Sequence, residues 1–272
     1  MNAIANPANP ANLANQATPA TQPNPVAAAY VLRIADSCLI HGQRLAEWCG
    51  HAPVLEEDIA LTNIALDHIG QARMLLTLAG QLEGQGRDED ALAFFRQERD
   101  YRNVAMLELP NGDFARTMLR CFLWSSFLGV LWAALGNSSD EQLAAIATKS
   151  LKETRYHQRH TGDWVVRLGD GTDESQRRMK QALADLWPYT AEWFAADEVD
   201  AAATASRLGS PWNQLKPAWL DKVLSVLREA QLAVPPDSPF LSSGKRGVHT
   251  EHMGCLLAEM QALPRAFPGA RW

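Results

Sequence analysis

The segment from Phe114 to Leu135 constrains this 272-residue chain more than any other. Asp113 precedes it as a natural N-cap, Gly136 follows it, and it contains no Asp, Glu or His. Trp124, Phe127, Leu128, Val130, Leu131 and Trp132 leave it no continuous polar face. A helix that is apolar on most sides is buried on most sides, so this one needs other helices packed around it.

The rest of the chain supplies them. Helical periodicity runs from Val26 to Trp48 and is broken at Gly50-His51-Ala52-Pro53, because proline disfavours helix in the residue before it. A second helix spans Val54 to Leu82 and stops at Gly84-Gln85-Gly86. One or two short helices fit Asp88 to Leu109, and Pro110 to Asp113 is a turn. Ser138-Ser139-Asp140-Glu141 starts a helix through Leu168 with capping-box character. A fifth is expected from Glu174 through a Trp187-Pro188 kink to Ser206. A sixth runs from the Ser210-Pro211 cap to Ala233, and a loop then leads to a short helix capped by Thr250 and ending near Leu263. No stretch alternates with period two. The expected fold class is all-α: an antiparallel helical bundle with additional C-terminal helices, forming a single domain over residues 26–272.

Residues 1–25 carry no charged side chain and are mostly Asn, Ala, Pro, Gln and Thr, which predicts a disordered tail rather than a targeting signal. A net charge of −6 argues against a nucleic-acid surface. No run approaches the 18 or so apolar residues of a membrane span. Cys38, Cys49, Cys121 and Cys255 are scattered in helical contexts, so free thiols in a reducing cytoplasm are the expectation.

Four-helix bundles can hold a pair of metals when two helices each give a Glu and the other two each give a Glu-x-x-His. The stretch Asp58 to Met74 resembles the second helix of such a ferritin-like protein, but the required spacing gives Asp67 and Gly70, and glycine ligates nothing. His68 is about 100° round the helix from Asp67. The first helix offers Gln43, a poor iron ligand, and Glu47, read as a solvated helix-end charge. The third offers only the hydroxyls Ser125 and Ser126. Glu153 and His157 share a stripe of the fourth helix with Ile146, Ser150, Trp164 and Leu168, and a buried hydrogen-bonded pair is the expected use. His249 and His252 sit at a helix start, where capping and packing are expected. Lys245 and Arg246, in a glycine-bearing loop ahead of that helix, are the candidate phosphate or other anion contacts. No P-loop, dinucleotide or Gly-x-Ser-x-Gly fingerprint occurs.

Several separated segments together carry a resemblance: Gln43 to Pro53, Asn63 to Arg73, Lys152-Glu153-x-Arg155-Tyr156-His157, Gly247-x-His249-Thr250-Glu251-His252 and Leu257 to Gln261. From Tyr30 to Trp272 the chain resembles the family of structural C components of the phenylacetyl-CoA epoxidases, bacterial multicomponent ring 1,2-oxygenases. The resemblance implies a ferritin-like bundle with no catalytic residue, metal or cofactor of its own. It implies pairing with a sister subunit that carries the di-iron centre and binds the CoA thioester. A reductase subunit with FAD and an iron–sulfur cluster would take electrons from NADPH, and a small subunit would complete the assembly. Gln43, Asp67, Gly70, Ser125, Glu153 and His157 would then be degenerate metal-site positions. Ser125 departs from family members in which a carboxylate occurs there. The aromatic C-terminal residues Trp212, Trp219, Phe267 and Trp272 become candidates for the subunit interface or the core. Two other readings stay open: a ferritin-like di-metal oxygenase using Glu47, Asp67, Glu153 and His157, and a CoA-binding module acting through Lys245 and Arg246.

Overall fold

The computed structural model describes residues 23–236 and 238–270, so the N-terminal tail up to residue 22 and Trp272 lie outside the described residues. Among the described residues, ten α-helices follow in order: α1 (Pro25–Ala46), α2 (Leu55–Glu83), α3 (Glu89–Phe94), α4 (Phe114–Leu135), α5 (Glu141–Gly169), α6 (Asp173–Leu186), α7 (Thr190–Trp193), α8 (Glu198–Ala205), α9 (Lys216–Glu229) and α10 (Glu251–Ala266). The same residues form no strand, only an isolated bridge between Ser243 and Val248.

The four long helices form a ferritin-like bundle. Short connections make α1–α2 and α4–α5 antiparallel hairpins. Contacts between α2 and α5 fix the rest of the topology. Glu57 meets His160, Asp67 meets His157, Gln71 meets Glu153, and Met74 meets Lys149, so one helix ascends as the other descends. It follows that α2 and α4 run parallel. The crossover of residues 84–113 must therefore travel the length of the bundle, and it carries α3 and two 3₁₀ turns, Glu98–Asp100 and Ala105–Glu108.

Local chemistry sets the helix ends. Asn24 accepts a hydrogen bond from the Ala27 N–H, and Pro25 opens the first turn, so these two residues of the expected tail belong to α1. Asp113 and Asp140 cap α4 and α5 by accepting from Arg116 and Leu143. Gly84 ends α2 in the left-handed conformation.

Three expectations change. The fifth helix is not continuous: Pro188 has no N–H to extend it, a 3₁₀ turn intervenes, and Asp197 caps a separate α8 through the N–H groups of Val199 and Asp200. The sixth helix starts at Lys216, with Pro217 in its first turn, after a 3₁₀ turn at Trp212–Leu215. Thr250 occupies the N-cap position of α10, but its hydroxyl caps nothing; its N–H donates to Glu108 instead.

α4 is the core helix its composition demands. By length and apolarity it does qualify as a membrane span, contrary to the expectation from sequence, but 83% of its most apolar window is buried in the bundle. The C-terminal helices cover it with aromatics: Trp193, Trp212 and Trp219 are fully buried, Trp212 and Trp193 pack against Phe127, and the Trp219 indole donates to the Leu123 carbonyl. Trp212 and Trp219 are thus core residues, whereas Phe267 is exposed.

Buried ion pairs tie the crossover to α1. Asp36 accepts both Arg96 terminal nitrogens in the interior and the Arg102 N–H at its margin. Removing one partner of such a pair strands a buried charge. Asp36→Ala should lower stability by about 3–5 kcal/mol, checked by urea denaturation, and a cost below about 1 kcal/mol would contradict this role.

Candidate functional site

The centre of the bundle is polar, but not in the phase the spacing suggested. On α2 the inward line is Ile64, His68, Gln71 and Leu75, all buried. Asp67 lies at the rim, with its side chain 38% exposed, and reaches in to bond His157 Nε2 at 2.8 Å. Gly70 faces outward, and a Cβ added there would touch nothing. It is therefore not a hole in an interior ligand set. On α1 the inward residues are Cys38 and His41, whereas Gln43 is only partly buried. Glu47 sits at the C-cap of α1, bonded to Arg44 at 2.7 Å and Asn111 at 3.1 Å, so it is tied to the helix end rather than solvated freely. Ser125 is buried on α4, but its hydroxyl donates to the Phe122 carbonyl of its own helix.

Glu153 and His157 do approach α2, each with a partner from that helix. Gln71 donates to Glu153 at 3.0 Å, its amide oxygen lies 3.7 Å from Cys38 Sγ, and Asp67 holds His157. The buried line of α5 passes through Ser150, Thr154, His157, Thr161 and Val165, leaving Trp164 and Leu168 at its edge. Three imidazoles cluster here: the His41 and His68 rings are 4.9 Å apart, and the His68 and His157 rings 5.2 Å. Nothing in the sequence marks His41 and His68 as a pair. The signal available was the i, i+3 phase of His41 with Cys38 and of His68 with Gln71.

Burial pushes the pKa of His41 well below that of free imidazole, helped by the nearby His68, Arg120 and His157. Burial does the same to His68, with His157 adding to it and the Gln71 hydrogen bond opposing it. His41 and His68 therefore line the interior as neutral rings. A carboxylate-bridged iron pair does not fit this donor set. Asp67 and Glu153 are rim carboxylates already hydrogen-bonded, and α4 presents no carboxylate at all. Among the described residues, no three His, Cys, Asp or Glu side chains converge on a point that could hold a metal ion.

The other candidates are structural. Lys245 is buried, donating to the carbonyls of Ala195 at 2.8 Å and Trp193 at 3.4 Å, with its Nζ 5.2 Å from the centre of the Trp212 ring. Burial, with Arg33 nearby, pushes its pKa down to about 8. Its backbone N–H donates to Glu192, which also accepts from Ala105 and Ser242. Gly244 lies so close to the crossover that a Cβ would collide with the Asn103 carbonyl oxygen. The anion or CoA contact expected of Lys245 is thus corrected: its ammonium is enclosed by the fold. Arg246 alone of the pair is exposed. His249 bonds Glu108 at 2.8 Å and the Tyr101 carbonyl at 3.2 Å, while His252 stays at the surface. The motif-like residues at 244–250 therefore pin a loop to the crossover.

A separate cleft of about 570 Å³ lies where α5 meets α4 and α9, with Arg155, Arg159 and Arg167 on its walls and Phe122 in its lining. The acids that line it are Asp163 and Glu229, and no acid–base or nucleophilic pair forms there among the described residues.

The fold and its centre define a ferritin-like bundle whose inward residues include His41, His68 and Gln71 rather than a set of bridging carboxylates. Over residues 7–272 the chain matches the family described as phenylacetic acid catabolic protein, and it belongs to that family. It is similar to the C component of the 1,2-phenylacetyl-CoA epoxidase of Escherichia coli (strain K12), 48% identical over 244 residues, which are 90% of this chain and 98% of that protein.

The neutral histidines make stability depend on pH. Unfolded His titrates near 6.5, whereas folded His41 and His68 titrate far lower. Their contribution is intact above about pH 6.5 and is lost as the pH falls, by up to about 1.4 kcal/mol per pH unit for each ring. His249 works in the opposite sense. Burial disfavours its charge, but the Glu108 hydrogen bond and charge outweigh that and raise its pKa, so its contribution is lost as the pH rises through the folded value. Urea midpoints should fall between about pH 6.5 and 5, and His41→Leu should flatten that fall; an unchanged slope in the variant would contradict the assignment.

Proposed function

We propose that this chain is the non-catalytic structural subunit of a phenylacetyl-CoA epoxidase that works in aerobic phenylacetate degradation in the cytoplasm. It pairs with and supports a di-iron catalytic subunit that epoxidises the aromatic ring of phenylacetyl-CoA with O2. A reductase subunit with FAD and an iron–sulfur cluster delivers electrons from NADPH, and the complex is completed by a small subunit. The chain itself holds no metal or cofactor and turns over no substrate.

One observation carries this reading. A chain 48% identical to an epoxidase C component over nearly its whole length has, at the bundle centre, a helix that offers no carboxylate. The ligand set of an independent di-metal oxygenase would be Glu47, Asp67, Glu153 and His157. Glu47 is engaged with Arg44 and Asn111, and the other three are joined in two separate α2–α5 hydrogen bonds. The reading as a CoA module loses Lys245 to the interior.

Metal analysis of the purified chain and of the assembled epoxidase provides the test. The isolated chain should contain no stoichiometric iron while the complex does; about two irons per isolated chain would overturn the reading. Glu153→Ala should leave turnover of the assembled complex within about threefold of the parent and act instead on folding or complex yield. Loss of turnover in a fully assembled Glu153→Ala complex would favour the di-metal enzyme.

A further inference from the structure

α2 is apolar on two opposite sides. One side enters the bundle through Leu61, Ile64, Leu75 and Leu76. The other is largely open: Leu55 is 71% exposed, Ile59 53%, Leu66 60% and Ile69, beside α1, 37%. With Thr62 and Arg73 these residues follow each other at alternating steps of four and three, the spacing of a coiled-coil seam. The seam lies opposite the interior line of Ile64, His68, Gln71 and Leu75. Leu55, Ile59 and Leu66 are more than half exposed, whereas Ile69 lies at the edge, where a Cβ on Gly42 of α1 would meet it, and Arg73 is bridged to Glu89 of α3. Gly70 lies beside Leu66 and Ile69, and a Cβ there would meet open space. A missing side chain at that point lets another backbone approach closely. From Leu55 to Ile69 the seam is about 21 Å long, four turns of helix.

We infer that this seam is the docking surface for one helix of another subunit of the epoxidase. The inference rests on the reading of the chain as a subunit of that complex. Alternating spacing of four and three accepts a single helix with its own apolar seam, rather than a sheet edge or a broad apolar plane. The ends of the seam differ in charge. Glu56 is exposed at one end; at the other, the Arg73 side chain is 75% exposed, with its salt bridge to Glu89 at 3.3 Å. The complementary helix carries a base opposite Glu56 and an acid opposite Arg73. The similar Escherichia coli protein is by its name one component of an epoxidase, and so the occupant is a different chain rather than a second copy.

The test is binding of the full-length chain to the remaining epoxidase subunits, measured for the parent and for Leu66→Lys, Ile59→Asp and Leu241→Lys. Circular dichroism and the thermal midpoint of each variant serve as the folding control, and the substituted side chains are exposed. Leu66→Lys or Ile59→Asp should weaken assembly by about 100-fold or more, as expected at the centre of an apolar interface. Leu241→Lys, at a leucine 55% exposed on the C-terminal loop, should not. Parent-like assembly of both α2 variants would overturn the seam while leaving the pairing intact. A parent chain that forms a homodimer dissolved by Leu66→Lys would assign the seam to a second copy and also overturn the inference. A parent chain that binds none of the other subunits would remove the subunit reading itself, and the inference with it.

Discussion

A helix with no polar face has to be enclosed, and most of this molecule is arranged to enclose α4. The hairpin partner α5 covers one side, α6 and α9 others, and the indoles of Trp193, Trp212 and Trp219 close over Phe127 and Leu123. The additional C-terminal helices are therefore not an appendage to a four-helix bundle. They supply the surface that lets its central helix stay out of water, where burial of apolar area is worth about 25 cal/mol per Å². The same enclosure explains why α4 lacks carboxylates. An acid placed there without a metal or a cation would be desolvated and unpaired.

Between α2 and α5 the bundle carries a ladder of hydrogen bonds. Glu57 with His160, Asp67 with His157 and Gln71 with Glu153 sit at successive levels, each joining the two hairpins. The carboxylates and imidazoles of the ladder, from the buried Glu57 and His157 to the rim residues Asp67 and Glu153, are occupied with partners across the two helices. The deepest layer is left to uncharged rings. Such an interior fixes the relative height of two helices.

The positions of the long helices were legible in the sequence because caps, glycines and apolar periodicity agreed at each end. The phase of α2 was not. A helix apolar on two sides has weak amphipathicity, so periodicity alone does not say which side faces in. Asp67-x-x-Gly70 has the spacing of an interior pair, yet His68-x-x-Gln71 is the pair that faces inward. The motif at 247–252 was legible as a pattern of residue types, but its use was not, because its partners Glu108 and Tyr101 lie more than a hundred residues earlier. Lys245 misled for a similar reason. A lysine beside glycines normally reads as solvated, and only the carbonyls of Trp193 and Ala195 show why this one is buried. The break before α8 was hidden by good helix formers on both sides of Asp197, whose capping role depends on tertiary placement.

Glu108 gathers Asn103 from its own crossover and His249 and Thr250 from the far end of the chain, while its carbonyl receives Arg44 from α1. Every one of those groups would lose a partner if the crossover moved. In chain order Glu108 precedes its partners His249 and Thr250 by more than 140 residues. Closure there is a long-range event, costly in chain entropy and late in any order of folding. A chain ending before residue 249 would leave the buried Glu108 side chain with Asn103 alone, without the two partners that the C-terminal segment brings to it.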